Sequence, residues 1–248
     1  MSDFNNGFSR PMPQTADMSV DAGLRAFMLG VYNKLALGLV VAGALAWVTG
    51  TMPAVQQYFY VQTAQGLSLT PIGMALQWAP LVLIFGSMFF MRRPSPVGTN
   101  LLYWAVVATM GASLGWVFLL YTGASVASTF FVTAAAFGGL SLYGYTTKRD
   151  LGPIGSFLIM GVIGLIIASV VNMFMASSTL YWIISAAGVL LFSGLIAFDT
   201  QRLKMTYYAL GGDQAGMSVA TSFGALNLFI NFVNLFLFLL RFMGGNRN

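Results

Sequence analysis

The sequence predicts an all-α membrane protein, and three observations point to this class. Of the 248 residues, 58% are hydrophobic and only 7% are charged, whereas about a quarter of the residues of a soluble domain are charged. Apolar runs of about 20 residues, the length that crosses a bilayer as a helix, recur along the chain. These runs are apolar on every face, whereas strands of a membrane barrel alternate polar and apolar residues in segments of about ten.

Seven apolar runs are bounded by charged residues, Pro or Gly clusters, and each predicts a membrane span. We place the spans at residues 31–51, 74–91, 101–121, 124–145, 154–175, 180–199 and 220–242. Residues 1–24 are polar, and no apolar stretch within them precedes a small-residue cleavage site. We predict that they form a flexible polar tail on a seven-helix transmembrane domain of residues 25–248.

The basic residues predict the orientation of the spans, because short loops rich in Lys and Arg stay in the cytoplasm. Nine of the 11 basic residues fall on one side of the predicted spans: Arg10, Arg25, Lys34, Arg92, Arg93, Lys148, Arg149, Arg202 and Lys204. Only Arg241 and Arg247 fall on the other side. This bias predicts a cytoplasmic N-terminus and an external C-terminus. The placement of the basic residues in short loops also explains the net charge of +5 without a nucleic-acid partner. We expect the ammonium group of Lys34 to reach the headgroups and assign it no further role.

Asp199 is the only acidic residue predicted at or near membrane depth, where polar groups are costly. A charge at the bilayer centre costs about 2.5 to 3.5 kcal/mol on insertion scales. Asp199 ends the sixth predicted span, on the side with the basic loops. The residue is either an interfacial carboxylate paired with Arg202 or Lys204, or a functional group.

Three asparagines form a polar stripe on the seventh predicted span. Asn227, Asn231 and Asn234 are spaced by four and three residues, so they share one helix face. A polar stripe on an apolar helix must face protein or water, and we therefore expect the other helices to enclose this one. The amides either join neighbouring helices by hydrogen bonds or line an aqueous path. A pair of small residues in the third span, Gly111 and Gly115, predicts close helix packing.

The composition argues against an enzyme. The chain has no His and no Cys, which removes imidazole bases, thiolate nucleophiles, disulfides, and zinc-finger-type or haem-type ligand sets. An intramembrane aspartyl protease needs two carboxyl groups that share a proton, and only Asp199 is within reach. We predict neither catalysis nor a bound cofactor.

Three motifs resemble those of the Bax inhibitor-1 family, and the bacterial branch is the nearest. They are GYTTKRDL at residues 144–151, FDTQRL at 198–203 and ALNLFINFVNLFLFLLRF at 225–242. The resemblance extends from about residue 20 to the end of the chain. It implies a bundle whose seventh helix is surrounded by the other six, and it implies a bacterial inner membrane with the C-terminus in the periplasm.

The resemblance also implies a pH-sensitive calcium leak, in which an aspartate of the sixth helix pairs with an aspartate of the seventh. The first position corresponds to Asp199, but the second is occupied by Asn231. Two touching carboxyl groups cannot both ionise easily, whereas an amide can donate a hydrogen bond to an ionised carboxylate. We therefore predict weaker or more acid-shifted proton gating. The second span carries no interior basic residue that could lock Asp199, since Arg92 and Arg93 stand at its end.

We predict a passive cation leak with Asp199, Asn231, Asn227 and Asn234 along the gate and ion pathway. Calcium prefers six to eight oxygen ligands, and the outer connectors contain no acidic residue, so Asp199 would bind calcium only weakly and transiently. The resemblance also implies an alternative, a non-conducting modulator or substrate of a membrane-embedded quality-control protease that would engage the polar tail. A proton-coupled transporter is a third reading, but no internal repeat is visible in the sequence.

Overall fold

A computed structural model describes residues 22–63, 66–91 and 93–245, and within these ranges it contains nine helices and one hairpin. Residues 1–21 of the predicted tail lie outside them, as do Arg92 and Arg247. The elements are α1 (Ala22–Thr51), α2 (Pro53–Phe59), β1 (Tyr60–Thr63), β2 (Gly66–Leu69), α3 (Pro71–Phe90), α4 (Pro96–Ser113), α5 (Trp116–Leu120), α6 (Gly123–Thr146), α7 (Gly152–Met175), α8 (Ser178–Leu210) and α9 (Gln214–Met243).

Within the described residues, seven segments are long and apolar enough to cross a membrane, which confirms the predicted class and the order of the spans. Six are single helices, and the seventh joins α4 to α5 over Pro96–Leu120. At that junction the Leu114 N–H is shared between the carbonyls of Met110 and Gly111, so the chain makes a tighter turn before α5 begins.

Several helices run past the predicted span ends, because polar turns continue a helix beyond the apolar stretch that hydropathy detects. The helix α8 ends at Leu210, eleven residues after the predicted end at 199. The helix α1 begins at Ala22, so residues 22–24 belong to it rather than to the polar tail. Leu24 is fully buried there, and its packing explains the early start.

The bundle is built around α9, which is the most buried of the long helices. It packs against α1, α4, α6 and α8, while α3 packs on α4 and α7 packs on α8. The predicted central position of the last helix is therefore confirmed. Of the six surrounding helices, four are its main direct neighbours. The other two, α3 and α7, form an outer layer with many exposed apolar side chains.

The uncharged connector between the first two spans contains α2 and a hairpin, neither of which the sequence analysis predicted. The strands β1 and β2 pair antiparallel, with Tyr60 opposite Leu69. Tyr60 is buried, and its hydroxyl donates to the Ser113 carbonyl at 3.4 Å. The hairpin is thus fastened to the end of α4 on the side of the bundle opposite the basic loops. We call the side with those loops the basic end.

Small residues bring α1 and α4 into backbone contact, as the pair in the third span predicts. A Cβ atom placed on Gly111 would lie 2.5 Å from the Ala42 Cα. Further along, the Thr49 hydroxyl donates to the Ala112 carbonyl at 2.9 Å, and Gly115 packs against the Thr49 side chain. The interface leaves no space for one additional methyl group.

We expect Gly111→Ala to destabilise the bundle by about 1–3 kcal/mol, the usual cost of overpacking a tight interface. Thermal unfolding of the purified protein in detergent measures this effect. Gly43→Ala is the matched control, because a Cβ there meets nothing within 4 Å and a helical Gly→Ala change is otherwise favourable. Equal unfolding temperatures for the two variants would contradict the assignment.

Candidate functional site

The centre of the candidate site is a contact between an acid on α8 and an amide on α9. The Asn231 Nδ2 donates a hydrogen bond to Asp199 Oδ2 at 2.6 Å. Asn231 is 6% exposed, so its amide is fixed inside the bundle. The two helices approach closely because Gly224 on α9 packs against Leu203 and Gly188 on α8 packs against Phe238.

A pocket of about 200 Å³ opens beside this contact, between α7, α8 and α9. Its polar lining consists of Asp199, Arg202, Asn227 and Asn231, and its apolar lining consists of Ile159, Leu195, Phe198 and Ile230. Asn227 is exposed and Asp199 is partly buried. The pocket is open to the outside of the bundle, and Asp199 forms part of its wall.

The third asparagine of the stripe does not join the pocket. The Asn234 Nδ2 donates to the carbonyl of Ile230, one turn back on its own helix, at 2.8 Å. The three asparagines of the stripe therefore have different environments. Asn231 donates to Asp199, Asn227 lines the pocket, and Asn234 donates to a carbonyl of its own helix. Asn227 and Asn231 remain candidates for an ion path, whereas the amide of Asn234 is engaged within α9.

Counted along α8, Asp199 lies about one hydrocarbon thickness from the first residue of the helix. It follows the first residue of α8, Ser178, by 21 positions, which at 1.5 Å per residue is about 32 Å along the helix axis. A bilayer core is about 30 Å thick. The pocket therefore sits near the headgroups of the basic end.

Neither of the two nearby cations forms an ion pair with Asp199 among the described residues. Arg202 lines the same pocket with an exposed side chain. The Lys204 ammonium instead donates to the Tyr145 carbonyl at 3.1 Å. The predicted contact with Lys204 is therefore not formed, and Arg202 acts on Asp199 through its charge, while Asn231 makes the direct hydrogen bond.

The site offers few ligands for a resident metal ion. Within the described residues no group of three or more acidic side chains converges. Asp199 supplies the one carboxylate of the pocket, and Asn227 and Asn231 supply amide oxygens. This set suits transient contact with a passing cation better than tight calcium binding, which uses six to eight oxygens.

Residues 24–248 match the family model described as inhibitor of apoptosis-promoting Bax1. The chain belongs to the Bax inhibitor-1 family. An uncharacterized protein of Caulobacter vibrioides is 63% identical over the full length of both chains. The protein RP147 of Rickettsia prowazekii is 42% identical over 92% of this chain and 93% of its own. The inner membrane protein YbhL of Escherichia coli K12 is 38% identical over 91% of this chain and 94% of its own.

The relationship to YbhL, together with the seven spans, makes this member of the Bax inhibitor-1 family a multi-pass inner-membrane protein. The three motifs that carry the resemblance meet in the structure: Asn231 of the third contacts Asp199 of the second, and the second also contacts the first. The Gln201 side chain, in the motif on α8, donates from Nε2 to the Arg149 carbonyl at 2.7 Å and accepts at Oε1 from the Leu151 N–H at 2.8 Å. The motif before α7 is thereby fastened to α8, two residues from Asp199.

Gln201 was missed by the sequence analysis because nothing in its spacing shows that it faces the loop between α6 and α7. A second cross-helix contact was also missed. The Lys34 ammonium donates to Asn100 Oδ1 at 2.6 Å and to Ser222 Oγ at 2.7 Å. It therefore joins α1 to α4 and α9, rather than only reaching toward the headgroups as expected.

Proposed function

We propose that this protein is a passive cation leak of the inner membrane, with calcium as the favoured cargo. The observation that carries the proposal is the Asp199–Asn231 contact at the wall of a pocket near the membrane surface. A carboxylate at this depth attracts cations, and the neighbouring amide oxygens can replace part of their hydration shell. Asp199 acts as gate and inner ligand, Asn231 as its partner, and Asn227 as a pathway residue.

The flux through this leak should depend less on pH than it would if two carboxyl groups were in contact and shared a proton. The Asn231 N–H donates to Asp199, and this hydrogen bond is strongest when the carboxylate is ionised. The contact therefore persists without a shared proton. We propose only a weak dependence of the flux on pH, displaced toward acid conditions.

The basic end of the bundle faces the cytoplasm in this proposal, so that the N-terminus lies inside and the C-terminus in the periplasm. Among the described residues, Arg93, Lys148 and Arg149 lie beyond helix ends on that side, and Arg202 and Lys204 lie in the last third of α8. Arg241 lies in the last turn of α9 at the other end. Short cytoplasmic loops carry such an excess of positive charge.

The proposal contains no catalytic step and no cofactor, in keeping with a sequence that has neither His nor Cys. A role as modulator or substrate of a membrane protease would use the polar tail, of which residues 1–21 lie outside the described residues. That partnership stays a prediction from the family resemblance.

Calcium entry into proteoliposomes that enclose a calcium dye tests the leak. We expect the full-length protein to admit calcium and Asp199→Asn to lower the rate at least about tenfold. A unit charge 4 Å from a cation contributes about 4 kcal/mol at an effective dielectric constant of 20, and 1.4 kcal/mol is a factor of ten.

Asp150→Asn is the matched control for this experiment. Asp150 is an exposed acid at the same end, and its Oδ1 accepts from the Gly152 N–H, which an asparagine oxygen can also do. The control should retain the wild-type flux. A wild-type protein without flux at any pH from about 5 to 8, the range in which a perturbed carboxylate titrates, overturns the proposal.

A further inference from the structure

The pocket beside the acid–amide contact carries two separate charges of opposite sign. Asp199 and Arg202 are three residues apart on α8, so they project from the same face of the helix. The Asn231 amide binds Oδ2 of the carboxylate, while the guanidinium of Arg202 is exposed. The carboxylate of Asp199 attracts the cationic group of a ligand, and the guanidinium of Arg202 attracts an anionic group.

A ligand that carries both charges complements this pocket. We propose that it binds the headgroup of a phospholipid with a primary ammonium group, such as phosphatidylethanolamine. The ammonium donates to the Asp199 carboxylate and to the Asn227 amide oxygen. The phosphate accepts from the Arg202 guanidinium, whose planar fork suits phosphate oxygens.

The apolar wall of the pocket continues as a path for the acyl chains. Ile159 lines the pocket, and Ile163, Ile166 and Val170 follow it at helical spacing on α7. All four side chains are exposed. Because α7 runs from the basic end toward the opposite end, this stripe leads from the headgroup level into the hydrocarbon layer.

Volume and depth agree with a headgroup as the occupant. The pocket holds about 200 Å³, less than the roughly 300–1,000 Å³ of sites that enclose a whole drug-sized molecule. Its carboxylate lies near the level where the hydrocarbon layer ends. A bound headgroup would cover Asp199 and thereby reduce the leak. This effect on the leak depends on the proposed function, whereas the binding of the lipid does not.

Native mass spectrometry of the full chain in detergent tests the binding directly. The probes are phosphatidylethanolamine, phosphatidylcholine and phosphatidylglycerol with identical acyl chains. Phosphatidylcholine has no ammonium N–H donors, and phosphatidylglycerol has no ammonium group. We expect the wild-type protein to bind phosphatidylethanolamine at least about fivefold more tightly than either, because charge-assisted hydrogen bonds are the strong ones.

Asp199→Asn should abolish this preference, and Arg202→Gln should weaken the binding of all three lipids, because each of them carries the phosphate. Arg149→Gln should change neither. Arg149 is an exposed cation at the same end and lies outside the pocket. Arg202 is also exposed, so its substitution leaves the fold intact. Equal binding of the three lipids by the wild-type protein, a preference that survives Asp199→Asn, or undiminished lipid binding by Arg202→Gln overturns the proposal.

Free phosphoethanolamine separates the lipid from a soluble zwitterion. We expect it to bind far more weakly than the lipid, because it makes no contact with the stripe on α7. Equally tight binding of the free headgroup would overturn the lipid assignment. An intact lipid preference in a protein without calcium flux refutes the leak and leaves this inference standing.

Discussion

Replacing Asn231 by Asp is expected to turn a weakly pH-dependent flux into a strongly pH-dependent one. The substitution places a second carboxyl group against Asp199, where the amide nitrogen now lies 2.6 Å from Oδ2. At low pH one proton is shared and the contact holds. At high pH both groups ionise and repel each other, by about 4 kcal/mol for unit charges 4 Å apart at an effective dielectric constant of 20. We expect the calcium flux to rise at least about tenfold between pH 5 and pH 8.

Proteoliposome flux over this pH range measures the effect, with Asn227→Asp as the matched control. Asn227 lines the same pocket on the same helix but is exposed and does not hold Asp199. A carboxylate there adds the same charge without entering the contact, so it should change the size of the flux and leave its pH profile shallow. If both variants gave the same profile, the charge of the pocket would control the flux and the contact would not.

The spans and the central position of α9 were predictable because the bilayer imposes them on the sequence. A helix must be apolar over about 20 residues to cross the hydrocarbon layer, and a polar stripe such as that of α9 cannot face lipid. The neighbourhood of Asp199 and Asn231 was predictable only through the family resemblance. Their spacing along two different helices says nothing about how those helices are rotated against each other.

The partners of individual side chains were not predictable, because they depend on rotation and packing between helices. Asn234 belongs to the same stripe as Asn231, yet its amide binds a carbonyl of its own helix. Lys34 lies close to a predicted boundary, and only the fold brings Asn100 and Ser222 within its reach. The third wall of the pocket comes from α7, whose Ile159 is indistinguishable in sequence from residues that face lipid.

Replacing Gln201 by Leu is expected to destabilise the protein by about 2–4 kcal/mol. Gln201 is buried, at 9% exposure, and its amide satisfies the Arg149 carbonyl and the Leu151 N–H. Leucine leaves both backbone groups without a partner, and each buried unsatisfied group costs about 1–3 kcal/mol. Thermal unfolding in detergent measures the loss, and amide hydrogen exchange should show faster exchange at residues 149–152.

Two further variants separate the hydrogen bonds of Gln201 from its size and burial. Gln201→Glu keeps an oxygen for the Leu151 N–H but sets a carboxylate oxygen against the Arg149 carbonyl. At neutral pH it should be no more stable than the leucine variant, because a buried charge without a partner is costly, and it should regain stability at low pH, where the protonated acid can donate. Gln214→Leu makes the same change at an exposed position and should cost little. Since the N-cap residue of α7, Leu151, makes no side-chain capping bond, Gln201 fixes the start of the helix that supplies Ile159. Unchanged exchange at residues 149–152 in Gln201→Leu would show that the helix start is held by other contacts.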